Sequence, residues 1–116
     1  MITIYQYSKC STCRKALKFL DEHGVEYTAV DIVEKPPTQK ELNIMLKFQE
    51  NSLRALFNTS GQIYRELDLK NKIDTMKKKD AIQLLSKNGK LVKRPFLLTK
   101  KIGFVGFKPD EWKILT

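Results

Sequence analysis

Apolar and β-branched residues at Ile2, Thr3, Ile4 and Tyr5 favour a strand, and Ser8 breaks that pattern. From Cys13 the apolar positions recur at helical spacing through Ala16, Leu17 and Leu20, so a strand runs directly into a helix. The helix is expected to reach about His23, with Gly24 as the left-handed residue that closes it. Residues 25–33 are rich in Val, Ile, Tyr and Thr with apolar side chains on both alternating faces, the pattern of a strand covered on two sides. Residues 1–34 thus read as a βαβ unit with a right-handed crossover.

Pro36 and Pro37 interrupt the strand pattern, and Thr38-Gln39-Lys40-Glu41 has the form of a capping box opening a helix with Leu42, Met45 and Leu46 on its apolar face. Ser52 is placed to cap a short helix through Leu53, Ala55, Leu56 and Phe57, and Asn58-Thr59-Ser60-Gly61 reads as a turn. A further helix centres on Ala81, Ile82, Leu84 and Leu85 and ends at Asn88-Gly89. Residues 38–88 are therefore expected to be an all-helical insertion, with no repeat and no low-complexity linker to set it apart. Strand patterns return at 96–99 and 103–107 around a turn near Lys100 and Lys101, which predicts a hairpin. Pro109, followed by Asp110 and Glu111, opens a last helix carrying Trp112 and Leu115. The expected fold is α/β: a thioredoxin-like, glutaredoxin-like mixed sheet, with the insertion between an N-terminal βαβ unit (1–34) and a C-terminal ββα unit (93–116).

A chain of 116 residues suits one domain, 1–116, and is too short for two. No apolar run approaches the roughly 20 residues that span a bilayer, and the first residues are too polar for a signal-peptide core, so a cytoplasmic protein without membrane contact is expected. Lysine and arginine outnumber the acids 22 to 13, a net charge of +9. The cations are spread along the chain, and the run Lys77-Lys78-Lys79 reads as a solvated face without helix-turn-helix or zinc-finger spacing around it. Non-specific attraction to anions follows from this charge, and sequence-specific DNA binding does not.

Both cysteines of the chain, Cys10 and Cys13, fall at the strand-to-helix junction. The first amides of a helix lack internal partners and carry partial positive charge, so a thiolate at Cys10 is favoured there, and Lys9 and Arg14 add cations beside it. If the thiol pKa fell from about 8.5 to about 7, the thiolate share at neutral pH would rise from a few per cent to roughly half. Cys10 would then be the attacking nucleophile, and Cys13, one turn into the helix, the resolving thiol of a redox-active disulfide. Three other readings compete. A zinc half-site uses the same spacing, but four ligands are needed and His23 is the sole histidine. A structural disulfide would close a very short loop, and two inert buried thiols remain an alternative.

Four stretches resemble the arsenate reductase-like and Spx/MgsR-like branch of the thioredoxin superfamily. They are Cys10-Ser11-Thr12-Cys13-Arg14-Lys15, Pro36-Pro37-Thr38, Phe57-Asn58-Thr59-Ser60-Gly61, and Lys93-Arg94-Pro95 with the hairpin that ends at Gly106. The resemblance implies that Pro95 is a cis-proline facing the cysteines and that Arg94 points toward Cys10, where it could hold an oxyanion or the carboxylate of a thiol substrate. Cys10, Cys13 and Arg94 are then the expected catalytic residues, and Ser11, Thr12, Arg14 and Pro95 the expected substrate-binding ones. Glutaredoxin-coupled arsenate reductases of this branch use one motif cysteine and three arginines, and here only Arg94 matches, with Asn58 and Lys108 at the other two positions. Spx-type regulators share Cys-x-x-Cys and Arg-Pro and bind RNA polymerase. They carry a glycine where Ser52 stands here, and a C-terminal extension beyond the point matching Thr116.

The leading expectation is a thiol-disulfide oxidoreductase using the Cys10/Cys13 pair on a low-molecular-weight thiol or a protein disulfide. No metal or organic cofactor is expected, and glutathione, a thioredoxin or a glutaredoxin would serve as external reductant. The alternatives are a redox-sensing regulator that binds RNA polymerase and a glutaredoxin-coupled arsenate reductase.

Overall fold

The computed structural model describes the whole chain, Met1–Thr116, around one four-stranded sheet. Its strands are β1 (Thr3–Gln6), β2 (Thr28–Asp31), β3 (Phe96–Leu98) and β4 (Gly103–Val105), in the spatial order β2-β1-β3-β4. β1 runs parallel to β2 and antiparallel to β3, and β3 and β4 form the expected hairpin.

Because successive side chains of a strand point to opposite faces, β1 and β3 each feed two cores. Ile4 and Leu97 pack on one face with Ala16 and Leu20 of α1 (Ser11–Glu22) and with Trp112 of α5 (Pro109–Trp112). Tyr5 and Phe96 point to the other face, which is covered by Leu42, Met45 and Leu46 of α2 (Gln39–Phe48) and Ala81, Ile82 and Leu85 of α4 (Lys78–Lys87). Between α2 and α4 lies the short helix α3 (Gln62–Glu66), flanked by 3-10 turns at Arg54–Leu56, Leu69–Asn71 and Ile73–Thr75. This is the βαβ, helical insertion, ββα arrangement of a thioredoxin-like fold, with helices on both faces of a mixed sheet.

The capping box predicted at Thr38 is present in both directions. Thr38 Oγ1 accepts the Glu41 N–H at 3.1 Å, and Glu41 Oε1 accepts the Thr38 N–H at 2.9 Å. Glu41 Oε1 also accepts the Tyr5 hydroxyl at 2.7 Å. One carboxylate therefore caps α2 and ties its first turn to β1.

Two expectations require correction. The second strand is four residues long and lies at the sheet edge, so Thr28 and Ala29 are exposed rather than covered on two sides. The apolar residues around it serve loops that reach different cores, Val25 and Tyr27 toward the α1 side, and Val30, Ile32 and Val33 toward the insertion. After Ser52 the chain makes one 3-10 turn and no helix, because Phe57 turns extended and bridges antiparallel to Val92. Lys93 N–H donates to Leu56 O at 2.8 Å and Asn58 N–H donates to Leu91 O at 2.7 Å. These bonds stitch the insertion to the segment leading into Arg94.

The turn Gly89–Leu91 presses its glycine onto the chain after β2, where a β-carbon at Gly89 would meet the Ile32 carbonyl oxygen at 1.8 Å. That is a backbone clash that no rotamer relieves. Gly89→Ala is expected to destabilise the protein by about 2 kcal/mol or more, as overpacking does. Urea unfolding of the two proteins measures the difference.

Candidate active site

The antiparallel register that pairs Tyr5 with Phe96 brings the end of β1 and the start of β3 to the same end of the sheet. The segment after β1 carries the cysteines and the segment before β3 carries Arg94 and Pro95. Residues some 80 positions apart in sequence thereby meet around one sulfur.

On leaving β1 the chain turns, and Cys10 N–H donates to Tyr7 O at 3.0 Å. Cys10 is extended (φ −98°, ψ 114°) and stands as the N-cap of α1. Its Sγ accepts the Cys13 N–H at 3.3 Å, filling the place that a serine or aspartate oxygen takes in most helices. Cys10 is half-buried, whereas Cys13 is completely buried on the core side of α1, and both thiols are free.

From the other side, the Arg94–Pro95 peptide bond is cis and Pro95 is buried, its carbonyl accepting the Gly106 N–H at 2.8 Å. The Arg94 guanidinium carbon lies 5.2 Å from the centroid of the Tyr7 ring, a cation–π contact, and Arg94 Nη1 donates to Lys90 O at 3.4 Å. No carboxylate pairs with Arg94, so its charge is left for the sulfur beside it.

These contacts separate the two thiols electrically. Burial alone would push the Cys10 thiol up. Hydrogen bonds from the Cys13 thiol and amide, joined by the hydrogen bond and charge of Arg94, more than offset burial and hold Cys10 below the ordinary cysteine range. For Cys13, burial comes first and the hydrogen bond to Cys10 second, and its thiol is pushed up to about 12. Cys10 is the thiol that ionises, and Cys13 is kept protonated as its hydrogen-bond donor.

The cations expected beside Cys10 from the sequence are placed differently. Lys9 is exposed, and Arg14 is turned back to donate to Ser8 O at 2.7 Å, so the cation acting on the sulfur comes from Arg94 across the sheet. Ser11 and Thr12 are exposed on the first turn of α1. Asn58 joins Arg94 at a shared cleft, while Lys108 is paired with Glu111 at 3.7 Å. His23 sits at the far end of α1 from the cysteines, its Nδ1 2.8 Å from Phe19 O. Sequence reasoning missed Tyr7, Lys90 and Gln62, which line the cleft with Arg94. Tyr7 belongs to a strand-like stretch and Lys90 to a basic one, and neither carries a local signal of its own.

The ArsC family profile matches residues 5–115. The chain belongs to the ArsC family. It is 43% identical over 112 residues to the protein YusI of Bacillus subtilis (strain 168), covering 97% of this chain and 95% of that one. It is 32% identical over 111 residues to the global transcriptional regulator Spx 1 of Oceanobacillus iheyensis, covering 96% of this chain and 83% of the regulator. The crystal structure of an ArsC-family-related protein from Bacteroides fragilis superposes with a TM-score of 0.94 at 45% identity, covering 99% of this chain and 97% of that one. No helix of this ArsC-family chain is long and apolar enough to cross a membrane.

Removing the Arg94 charge is expected to raise the Cys10 pKa. Arg94→Gln should slow alkylation of Cys10 by iodoacetamide at pH 7 on the order of threefold to tenfold, about 0.7 to 1.4 kcal/mol, the scale of one hydrogen bond in a partly solvated setting. In the parent protein the alkylation rate should rise with pH and level off below the ordinary thiol value of about 8.5. Tyr7→Leu should move the profile in the same direction by less, and Tyr7→Phe, which keeps the ring, should leave it in place.

Proposed function

We propose that this ArsC-family chain is a cytoplasmic thiol-disulfide oxidoreductase that cycles Cys10 and Cys13 between dithiol and disulfide, with Met1–Thr116 working as one domain. The observation that carries the reading is the unequal setting of the two thiols. Cys10 is half-exposed with its pKa lowered, and Cys13 is buried three residues away with its pKa pushed up to about 12. A nucleophile needs the first setting and a resolving thiol held in reserve needs the second.

The Cys10 thiolate attacks one sulfur of a substrate disulfide, forming a mixed disulfide and expelling the first thiolate. Cys10 then no longer carries negative charge, so the hydrogen bond and repulsion by which it held Cys13 protonated disappear. Burial, the largest cause of its raised pKa, still opposes ionisation of Cys13, but a backbone hydrogen bond at Tyr7 and the Arg94 charge favour its thiolate with no opposing contribution left from Cys10. Cys13 attacks the Cys10 sulfur, forms the internal disulfide and expels the second substrate thiolate. Two electrons have passed to the substrate, and both leaving thiolates take protons from water. An external thiol, such as glutathione, a thioredoxin or a glutaredoxin, returns the chain to the dithiol, and no metal or organic cofactor takes part.

Reduction of arsenate is less well supported. Of the three cationic forks that an arsenate site of this branch uses, Arg94 alone has a counterpart facing Cys10, Asn58 being neutral and Lys108 paired with Glu111. Each missing charged hydrogen bond weakens oxyanion binding by roughly 1.5 to 3 kcal/mol. A second reading draws on the relationship to Spx 1, a global transcriptional regulator. Here oxidation of the pair would rearrange the first turn of α1, and RNA polymerase would read the change. A pull-down of polymerase with oxidised and reduced protein tests it, and equal recovery in both states, or none in either, removes it.

For the oxidoreductase, Cys13→Ser is expected to trap a stable mixed disulfide at Cys10 and to stop turnover with protein disulfides, both visible by mass spectrometry and a coupled thiol assay. Cys10→Ser should abolish adduct and turnover together. Full activity of Cys13→Ser without a trapped adduct would contradict the dithiol cycle and favour a single-cysteine mechanism resolved by external thiol.

A further inference from the structure

Against Tyr7 and Arg94 lies a cleft of about 230 Å³. Tyr7 lines one part of it, Asn58, Gly61, Gln62 and the apolar Ile63 from the insertion line another, and Lys90 and Arg94 complete it. Two of these residues also belong to the cysteine site, since Tyr7 O accepts the Cys10 N–H and Arg94 bears on the Cys10 sulfur. The cleft therefore opens where the non-reacting part of a molecule attacked by Cys10 would sit.

Its chemistry is one-sided. Lys90 and Arg94 are cations, Asn58 and Gln62 are neutral amides, and no acid is among the lining residues. The three ion pairs of the protein, Arg54–Asp74, Lys108–Glu111 and Lys113–Asp110, leave Lys90 and Arg94 out. One acid touches the cleft residues from outside, Glu66, which accepts the Gln62 amide N–H at 2.8 Å along α3. The volume equals about eight waters at roughly 30 Å³ each, the size of an amino-acid-like group.

We propose that this cleft holds the body of a low-molecular-weight disulfide bearing a carboxylate or phosphate near its sulfur, and that Lys90 selects for that anion. The proposal rests on the thiol-disulfide reading of Cys10, and adds to it the class of substrate. Arg94 also bears on the Cys10 sulfur, whereas the Lys90 ammonium is exposed and uncommitted, since the Lys90 contacts to Asn58 and Arg94 run through its backbone carbonyl. Lys90→Gln removes the charge and keeps that carbonyl.

The test uses full-length reduced protein in single-turnover oxidation, so that Cys10 and Cys13 supply both electrons. Two probes of similar length are compared, 3,3′-dithiodipropionate with two carboxylates and bis(2-hydroxyethyl) disulfide with none. Each rate is divided by that of free 2-mercaptoethanol with the same disulfide. The anionic-to-neutral ratio of these rates should exceed one in the parent protein and fall about threefold or more in Lys90→Gln at low ionic strength. Lys77→Gln, which removes an equal charge outside the cleft, should keep the parent ratio. If Lys90→Gln lowers the ratio no more than Lys77→Gln does, the proposal is overturned. If neither disulfide oxidises the protein, the thiol-disulfide reading fails, and the cleft is judged by NMR titration of Cys10→Ser with 3-(methylthio)propionate. Shifts concentrated at the Tyr7, Gly61 and Lys90 amides, and lost in Cys10→Ser/Lys90→Gln, would uphold the anion site without the reaction. No shifts, or shifts spread evenly over the basic surface, would overturn it.

Discussion

A hydrogen bond from the Cys13 amide to the Cys10 sulfur fixes the geometry of the site, and joins the Cys13 thiol and Arg94 in favouring the thiolate. Every helix start leaves amides that need an acceptor, and most proteins supply an oxygen. Here the acceptor is a thiol sulfur, which accepts weakly when protonated and well when charged. The helix start therefore favours the thiolate, and the site is organised around the charge state of one atom. The bond also fixes the position of Cys13, because a residue that donates its amide to a cap must lie in the first turn, and in α1 that turn points its third side chain into the core.

The sheet supplies the rest. Pairing β1 with β3 antiparallel sends the end of one and the beginning of the other to a common edge, so Arg94 meets Cys10 without either segment being long. Stacking on Tyr7 holds the guanidinium there at 5.2 Å, a contact worth about 1 kcal/mol in a partly exposed setting. Since no carboxylate competes for Arg94, its charge is directed at sulfur and cleft. The helical insertion contributes through the extended bridge between Phe57 and Val92, which aligns Asn58 with the segment carrying Lys90 and Arg94. A helix after Ser52, as the local pattern suggests, would have left no such bridge.

Membership of the ArsC family does not choose among the uses of such a site. The relatives include a transcriptional regulator, and an ArsC-family-related protein of known structure shares the fold. In this chain Arg94, Lys90, Asn58 and Gln62 share one cleft, and the second cysteine, Cys13, donates its amide to the Cys10 sulfur.

The local features were legible from the sequence because they depend on neighbours in the chain. The helix that begins at the cysteines, the glycine at its end, the capping box at Thr38, the hairpin near Lys100 and the apolar faces of α2 and α4 all follow from spacing, capping and turn chemistry over a few residues. The cis Arg94–Pro95 bond and the approach of Arg94 were expected from family resemblance, since no local signal encodes them. The tertiary structure alone decided which cation reaches Cys10. Lys9 and Arg14 are adjacent in sequence, but exposure and the Ser8 carbonyl take them away, while β-pairing delivers Arg94. It likewise decided that β2 is an edge, because strand order depends on pairing across the whole chain, and that Tyr7, Gln62 and Lys90 share a cleft. Proximity between distant segments is set by packing two cores against one sheet, a global condition that no short window of sequence contains.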